Sequence, residues 1–259
     1  MSAILAMELR VRRRRMILSA LALVAVATVT GALYPAFGDS FGTVDLPKGV
    51  GDLIGGGDLS TISGWLNAEI VSVYGPLVLA GAAISAAAAT IAGEEEDRIL
   101  ALVLACPIRR SHVLLAKGAA IATALAGMGV ATWFGLVLSV AVAGGGIGAG
   151  YLAAQALHLL GLGLALGALG LALSGATGQR SVAMGGAAAV AVLMYLVNGF
   201  APAIDGLHWL KYLTLFYYYE GQDPLTTGVH PGGLLVLLAV TVLLVAAGVW
   251  AFERRDLRA

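Results

Sequence analysis

Charged residues are scarce in this chain. They make up 12% of its 259 residues, whereas apolar residues make up 59%. A soluble domain of this size with so few charges has too little polar surface to cover its exterior. The chain also has a single cysteine, Cys106, which excludes an intramolecular disulfide. The composition therefore points to a protein whose solvent is mostly lipid.

Several catalytic motifs are also absent from the sequence. It contains no Gly-x4-Gly-Lys-Ser/Thr phosphate loop, no helical His-Glu-x-x-His metal motif and no Gly-x-Ser-x-Gly nucleophile motif. The chain is therefore expected to bind no cofactor or catalytic metal of its own, and any ATP must be hydrolysed by another chain. An intramembrane enzyme would need Glu69, His158 and Asn198 to converge on a cavity, and their spacing does not favour this.

Six stretches are long and apolar enough to cross a bilayer core, which takes about 20 helical residues. They predict an all-α, polytopic protein of the plasma membrane that forms one transmembrane domain over residues 1–259. A cleaved signal peptide is the alternative for the first stretch, because Ala25-Val26-Ala27 resembles a cleavage site, but the apolar run continues to Tyr34. The predicted spans are Met16–Tyr34, Ala68–Ala92, Gly118–Val142, Tyr151–Gly175, Val182–Phe200 and Gly232–Phe252.

Positive charges are distributed unevenly between alternate connections. Only Lys48 and Lys211, two of the fifteen lysines and arginines, fall on one side of the predicted spans. Because Lys and Arg near the ends of spans are retained in the cytoplasm, the N- and C-termini are both predicted to be cytoplasmic. Residues 1–15 carry a cluster of arginines and are expected to form an N-terminal interfacial helix on that side.

The opposite, outer side offers candidate substrate contacts. Gln155 and His158 lie three residues apart on one face of the fourth span, where they either form interhelical hydrogen bonds or contact a transported substrate. Glu69 and Asn198 are further candidates for the substrate path, although Glu69 can also simply face water. Aromatic residues concentrate in the segment 201–231, which we interpret as a belt at the membrane surface.

The connection between the second and third spans, residues 93–110, is the most informative stretch. Four acids, Glu94, Glu95, Glu96 and Asp97, are predicted to occupy the first turn of a short helix, where they complement the positive end of the helix dipole. Pro107 is predicted to end this helix. Its apolar stripe fits either a partner protein or the membrane interface, and it consists of Ile99, Leu102, Val103 and Cys106, flanked by Leu100 and Leu104.

These residues resemble the permease subunits of type 2 ATP-binding-cassette exporters. The resemblance extends over the whole chain and includes Phe216-Tyr217-Tyr218 before the last span and the closing Phe252-Glu253-Arg254-Arg255. The family commonly has Gly-Thr-Leu-Glu where this chain has Asp97-Arg98-Ile99-Leu100. The resemblance implies that residues 93–110 form a coupling helix on which an ATPase acts, through Glu94, Glu95, Glu96, Asp97, Ile99, Leu100, Val103, Pro107, Arg109 and Arg110.

The same resemblance implies a transport subunit and not an enzyme. Two cytoplasmic ATPase subunits would bind ATP and Mg, and a second permease, either identical or different, would complete the path across the lipid bilayer. Nucleic acid is not an expected partner. A self-sufficient channel, scramblase or secondary carrier is the alternative, in which the acidic segment would only rest on lipid. The apolar residues of the expected path do not indicate a substrate.

Overall fold

The computed structural model describes residues 2–41, 58–100 and 108–256. Within these ranges all regular secondary structure is helical, as expected for spans that must pair their backbone polar groups internally. Six helices are long and apolar enough to cross a bilayer, which confirms the predicted all-α fold. They are α1 (Ser2–Phe41), α2 (Gly75–Glu96), α3 (Arg110–Ala143), α4 (Ala149–Thr177), α5 (Arg180–Phe200) and α6 (Pro231–Arg254).

Helix α1 runs for 40 residues without a break. The structure therefore does not separate the predicted interfacial helix, residues 1–15, from the first span. The arginine cluster does not interrupt the helix because arginine is a good helix former, and the first proline in α1 is Pro35. At 1.5 Å per residue α1 is about 60 Å long, roughly twice the thickness of the bilayer core. Part of α1 therefore extends beyond the hydrocarbon.

The second span begins before α2. A short helix, Ile62–Leu66, leads into a π-helix, Asn67–Tyr74, that continues directly into α2. The hydroxyl oxygen of Thr61 caps the short helix by accepting a hydrogen bond from the backbone N–H of Gly64 at 3.1 Å. A π-helix inside an apolar span is uncommon and is often found at functional sites. This segment lies at the outer end of the bundle, where outer means the side that the charge distribution predicts to be extracellular.

Helix α4 forms the centre of the bundle. In the most apolar stretch of α4, 72% of the residues are buried, compared with 11% in the corresponding stretch of α6. The spacing of Gly163 and Gly167 predicts close packing of helices, and α4 packs closely against α2 at this face. A Cβ atom at Gly163 would lie 2.6 Å from Cδ2 of Leu79, and one at Gly170 would lie 3.1 Å from Cβ of Ala87. The glycines thus let the two backbones approach.

Short connections hold neighbouring helices antiparallel. Gly144 directly follows the end of α3 and Gly178 directly follows the end of α4, with φ angles of 71° and 61°. This left-handed conformation is a common helix stop and favours glycine. The turns that follow are brief, so α3 pairs with α4 and α4 pairs with α5.

The outer connection between α5 and α6 folds partly back into the bundle. It contains 3-10 turns at Ala201–Ala203 and His208–Leu213 and short helices at Leu215–Glu220 and Pro224–Thr227. Trp209 and Tyr212 are exposed, as an aromatic belt requires, but Phe216 and Tyr219 are buried. The aromatic segment therefore does more than border the membrane, because Phe216 and Tyr219 of the short helix Leu215–Glu220 contribute to the core.

Candidate functional site

The acidic residues of the predicted coupling segment lie at the inner end of α2. Glu94, Glu95 and Glu96 form the last turn of this helix, so the prediction that they occupy the first turn of a separate helix is wrong. A carboxylate is unfavourable at the negative end of a helix dipole. Each of these acids, however, accepts a hydrogen bond from another helix or its flanking residue, and these interactions offset that cost. The chain then leaves α2 through a turn at Asp97 and Arg98.

Lys117 on α3 lies between two acids from different helices. Its Nζ donates hydrogen bonds to Glu94 of α2 and, at 2.5 Å, to Glu8 of α1. Lys117 is 1% exposed and Glu8 is 4% exposed, so the interaction is removed from water. Opposite charges attract more strongly in such a low-dielectric setting than at a solvated surface. Lys117 thereby holds the inner ends of α1, α2 and α3 together.

Arg255, just after the end of α6, joins the remaining inner ends. Its guanidinium makes a two-pronged pair with the carboxylate of Glu95, in which Nη1 lies 3.0 Å from Oε1 and Nη2 contacts Oε2. Its Nε also donates to the carbonyl oxygen of Gly175 on α4 at 3.1 Å. The planar fork of arginine matches a carboxylate in this geometry. Arg110 of α3 in turn donates from Nη1 to the carbonyl oxygen of Arg255 at 2.7 Å.

Glu96 completes the set by capping the start of α5. Its Oε1 accepts a hydrogen bond from the backbone N–H of Arg180 at 2.8 Å, where a carboxylate complements the positive end of the helix dipole. We call the whole group the inner charge cluster. It joins the inner ends of all six long helices, and its members are Glu8, Glu94, Glu95, Glu96, Lys117 and Arg255.

The other predicted coupling residues divide between surface and core. Asp97, Arg109 and Ile99 are exposed, and the exposed fraction of Ile99 is 47%. Leu100 is 1% exposed and belongs to the core. Val103 and Pro107 lie outside the described residues. The described ends of the segment thus present a mixed apolar and charged surface directly beside the inner charge cluster.

At the outer end, Gln155 and His158 are buried inside the bundle. Gln155 donates from Nε2 to the hydroxyl of Tyr219 at 3.1 Å, and Tyr219 donates to the carbonyl oxygen of Val71 at 2.8 Å. Nδ1 of His158 lies 2.9 Å from the carbonyl oxygen of Ala154 on the same helix. These residues are 2% and 0% exposed, so their described contacts lie within the protein.

Asn198 lies in a second polar group, at the outer end of the bundle. Its Nδ2 donates to Oε1 of Glu220 at 3.0 Å, and its Oδ1 accepts from the hydroxyl of Thr214 at 3.2 Å. The hydroxyl of Ser72, in the π-helix, donates to Oε2 of Glu220 at 3.2 Å. We call Ser72, Asn198, Thr214 and Glu220 the outer polar cluster. Glu69, in the same π-helix, is partly exposed.

Glu220 is the residue that sequence reasoning missed. It directly follows three tyrosines, and the interpretation of that run as a surface belt placed the acid in water. In the structure Glu220 is only partly exposed, and burial raises the pKa of its carboxyl to about 8 despite the hydrogen bonds from Ser72 and Asn198, which lower it. A useful signal would have been the position of this acid at the end of an apolar helical turn.

The six long apolar helices define a multi-pass protein of the plasma membrane. Over residues 2–257 the chain matches the family model of the ABC-2 family transporter proteins, and it belongs to that family. A search of the curated proteins gave no match. The chain is accordingly an ABC transporter permease, a membrane transport component that is not itself catalytic.

Proposed function

We propose that this permease moves a substrate outward across the membrane and that separate cytoplasmic ATPase subunits drive it through the segment between α2 and α3. Two ATPase subunits would bind ATP and Mg, since the chain contains no phosphate loop of its own. A second permease, identical or different, would face this one across the substrate path. The inner charge cluster is the observation that supports this proposal.

The cluster offers a physical route from the segment to the whole bundle. The segment leaves α2 directly after Glu96 and enters α3 at Arg110, which itself contacts the backbone of Arg255. A push on the segment would act first on the ends of these two helices. Because Lys117 and Arg255 bind α2 to α1, α4 and α6, the displaced ends would move as a group.

The surface beside the cluster suits a protein partner. Ile99 and Arg109 lie within the segment, on the two sides of residues 101–107, and both are exposed. An apolar and a cationic contact are therefore both available to a partner. The charged residues of the cluster are largely satisfied by one another and are therefore suited to transmission of a displacement. Contact with the ATPase would fall to the exposed residues of the segment, among them Asp97, Ile99 and Arg109.

The experiment changes an exposed residue of the segment and leaves the inner charge cluster unchanged. The affinity-tagged chain is purified from its native membrane, and the preparation is assayed for ATP hydrolysis and for a co-purifying chain with a phosphate loop. We expect both in the wild type and the loss of most of each in Ile99→Asp, since a charge would be placed in the apolar contact. Val229→Asp is the matched control, because Val229 is an exposed apolar residue in the outer connection.

Two outcomes would overturn the proposal. One is a wild-type preparation that never contains a phosphate-loop chain, and the other is an Ile99→Asp variant that keeps its ATPase to the same extent as Val229→Asp. In either case the self-sufficient channel, scramblase or secondary carrier takes the place of the ATP-driven exporter. Size-exclusion chromatography of each variant separates loss of the partner from loss of the fold.

A further inference from the structure

A cavity of about 240 Å³ lies between α2 and α5 at the outer end of the bundle, and it is open on the side where Leu77 and Val192 are exposed. Its wall is almost entirely apolar and includes Leu77, Ala80 and Ile84 of the second span and Ala191 of α5. An engineered apolar cavity of roughly 150 Å³ stays dry and binds benzene, so this cavity is large enough for an aromatic ring with a short chain. The body of its ligand is therefore apolar.

One end of the cavity carries a different chemistry. Ser72, Tyr195 and Phe216 belong to the lining, and the rings of Tyr195 and Phe216 meet edge to face with their centroids 5.4 Å apart. The hydroxyl of Ser72 links this wall to Oε2 of Glu220 at 3.2 Å. This end of the cavity therefore combines two aromatic rings with the carboxylate of Glu220, which lies behind Ser72. Aromatic rings and a negative charge both attract a cation.

The carboxyl of Glu220 has no cation of its own in the described part of the chain. Its hydrogen-bond donors are the neutral groups of Ser72 and Asn198, and no described lysine, arginine or histidine forms an ion pair with it. The titratable groups that face it are Tyr195 of α5 and Tyr219 of its own helix. A carboxylate in this setting is costly unless a positive charge or a proton joins it.

We propose that this cavity and Glu220 together bind an amphipathic amine, with its apolar body between α2 and α5 and its ammonium head at the end formed by Ser72, Tyr195 and Phe216, where the charge of Glu220 behind Ser72 attracts it. An anionic head would be repelled by the carboxylate, and among the described residues no lysine or arginine lines the cavity to attract it. A neutral head could form no more than a hydrogen bond with Glu220 and would lack the attraction between opposite charges. If the proposed export function holds, amphipathic amines are the substrate class.

The test measures binding to the purified full chain in nanodiscs without any ATPase subunit, so its result does not depend on the proposed coupling. The probe is 4-phenylbutylamine, and 4-phenylbutanol is its neutral counterpart of similar shape. At about pH 8.5 the amine stays charged, since alkylammonium groups lose their proton near pH 10. We expect calorimetry to give at least about tenfold tighter binding of the amine than of the alcohol, after subtraction of the signal from empty nanodiscs.

Glu220→Gln is expected to abolish this preference while binding of the alcohol stays the same. The Oε1 of glutamine can still accept from Asn198, and its Nε2 can donate to the hydroxyl of Ser72, which rotates to accept, so the substitution removes the charge with little change of shape. Asp205→Asn is the matched control, because Asp205 is an exposed acid of the same outer connection. Ala191→Leu is expected to weaken binding of both probes by filling the cavity.

Three results would overturn the proposal. They are equal affinity of the wild type for the amine and the alcohol, an amine preference that persists in Glu220→Gln, and undetectable binding of both probes. If Glu220→Gln fails to fold, two other variants still test the site. An amine preference that Ser72→Ala leaves unchanged, or an affinity that Ala191→Leu leaves unchanged, would place the probe elsewhere. Amine binding in the nanodiscs, together with a native-membrane preparation that never contains a phosphate-loop chain, would contradict the proposed function alone.

Discussion

The inner charge cluster and the outer polar cluster compensate the charge of their acids in opposite ways. At the inner end, Lys117 faces two carboxylates and Arg255 faces a third, so cations of the chain itself compensate the acids. At the outer end, the hydrogen bonds to Glu220 from the described part of the chain come from the neutral side chains of Ser72 and Asn198. A compensated acid fixes the positions of helices, whereas an acid with neutral partners retains affinity for an added positive charge. The inner charge cluster therefore suits the transmission of a displacement between helices, and the outer polar cluster suits the recognition of a cationic ligand.

The largest effect is expected from the loss of the cation at the inner end. Lys117→Met removes the cation that Glu8 and Glu94 both contact, and breaking a buried pair in this way costs about 3–5 kcal/mol. We expect the variant to unfold at a clearly lower temperature than the wild type in a fluorescence-monitored thermal scan. Arg13→Met is the control, because Arg13 is exposed on α1. A shift no larger than that of the control would show that the cluster is not stabilising.

The sequence predicts the six spans that end at the two sides of the bundle, but it does not predict which charged and polar side chains pair there. Hydropathy located six spans because the bilayer imposes a minimum length on each apolar run. It placed the boundary of the second span at Ala92, four residues short of the end of α2, because the acids that follow are polar and still helical. Their helical continuation depends on partners far away in sequence: Glu8 and Lys117 are 109 residues apart, and Glu95 and Arg255 are 160 residues apart.

The outer polar cluster was beyond prediction for a related reason. Periodicity along Leu215–Glu220 does not tell whether this short helix rests on the membrane surface or turns into the bundle. That choice depends on Phe216 and Tyr219, which pack among the spans and bring Glu220 beside Ser72 and Asn198. Asn198 was foreseen as a polar residue at the outer end of its span, but the carboxyl that it contacts was not.

An intermediate effect is expected from the dependence of stability on pH. The pKa of Glu220 is raised to about 8 from an ordinary value of 4.5, chiefly by burial. Between these two pH values the unfolded chain releases this proton and the folded chain keeps it, so ionisation stabilises the unfolded state. The contribution of Glu220 to stability is thus fully present below pH 4.5 and is lost as the pH rises through 8.

Glu220→Gln isolates this contribution, because glutamine does not titrate. We expect the variant and the wild type to differ little in melting temperature near pH 5, and the variant to be more stable by several degrees near pH 9. Burial also raises the pKa of Tyr219, so this neighbour keeps its proton throughout the range. A difference that is constant from pH 5 to pH 9, or equal to that of the exposed Asp205→Asn, would mean that Glu220 does not hold a raised pKa.

The smallest expected effect comes from one neutral hydrogen bond at the outer end. Ser72→Ala removes the donor to Oε2 of Glu220, and a single hydrogen bond contributes about 0.5–1.5 kcal/mol net. Because this bond lowers the pKa of Glu220, its loss should move the pH-dependent fall in stability to higher pH. The pH series of thermal scans on Ser72→Ala, with Ser85→Ala as the control, measures the shift. An unchanged midpoint would show that Ser72 does not act on the carboxyl, and it would remove the link between Glu220 and the cavity wall on which amine recognition depends.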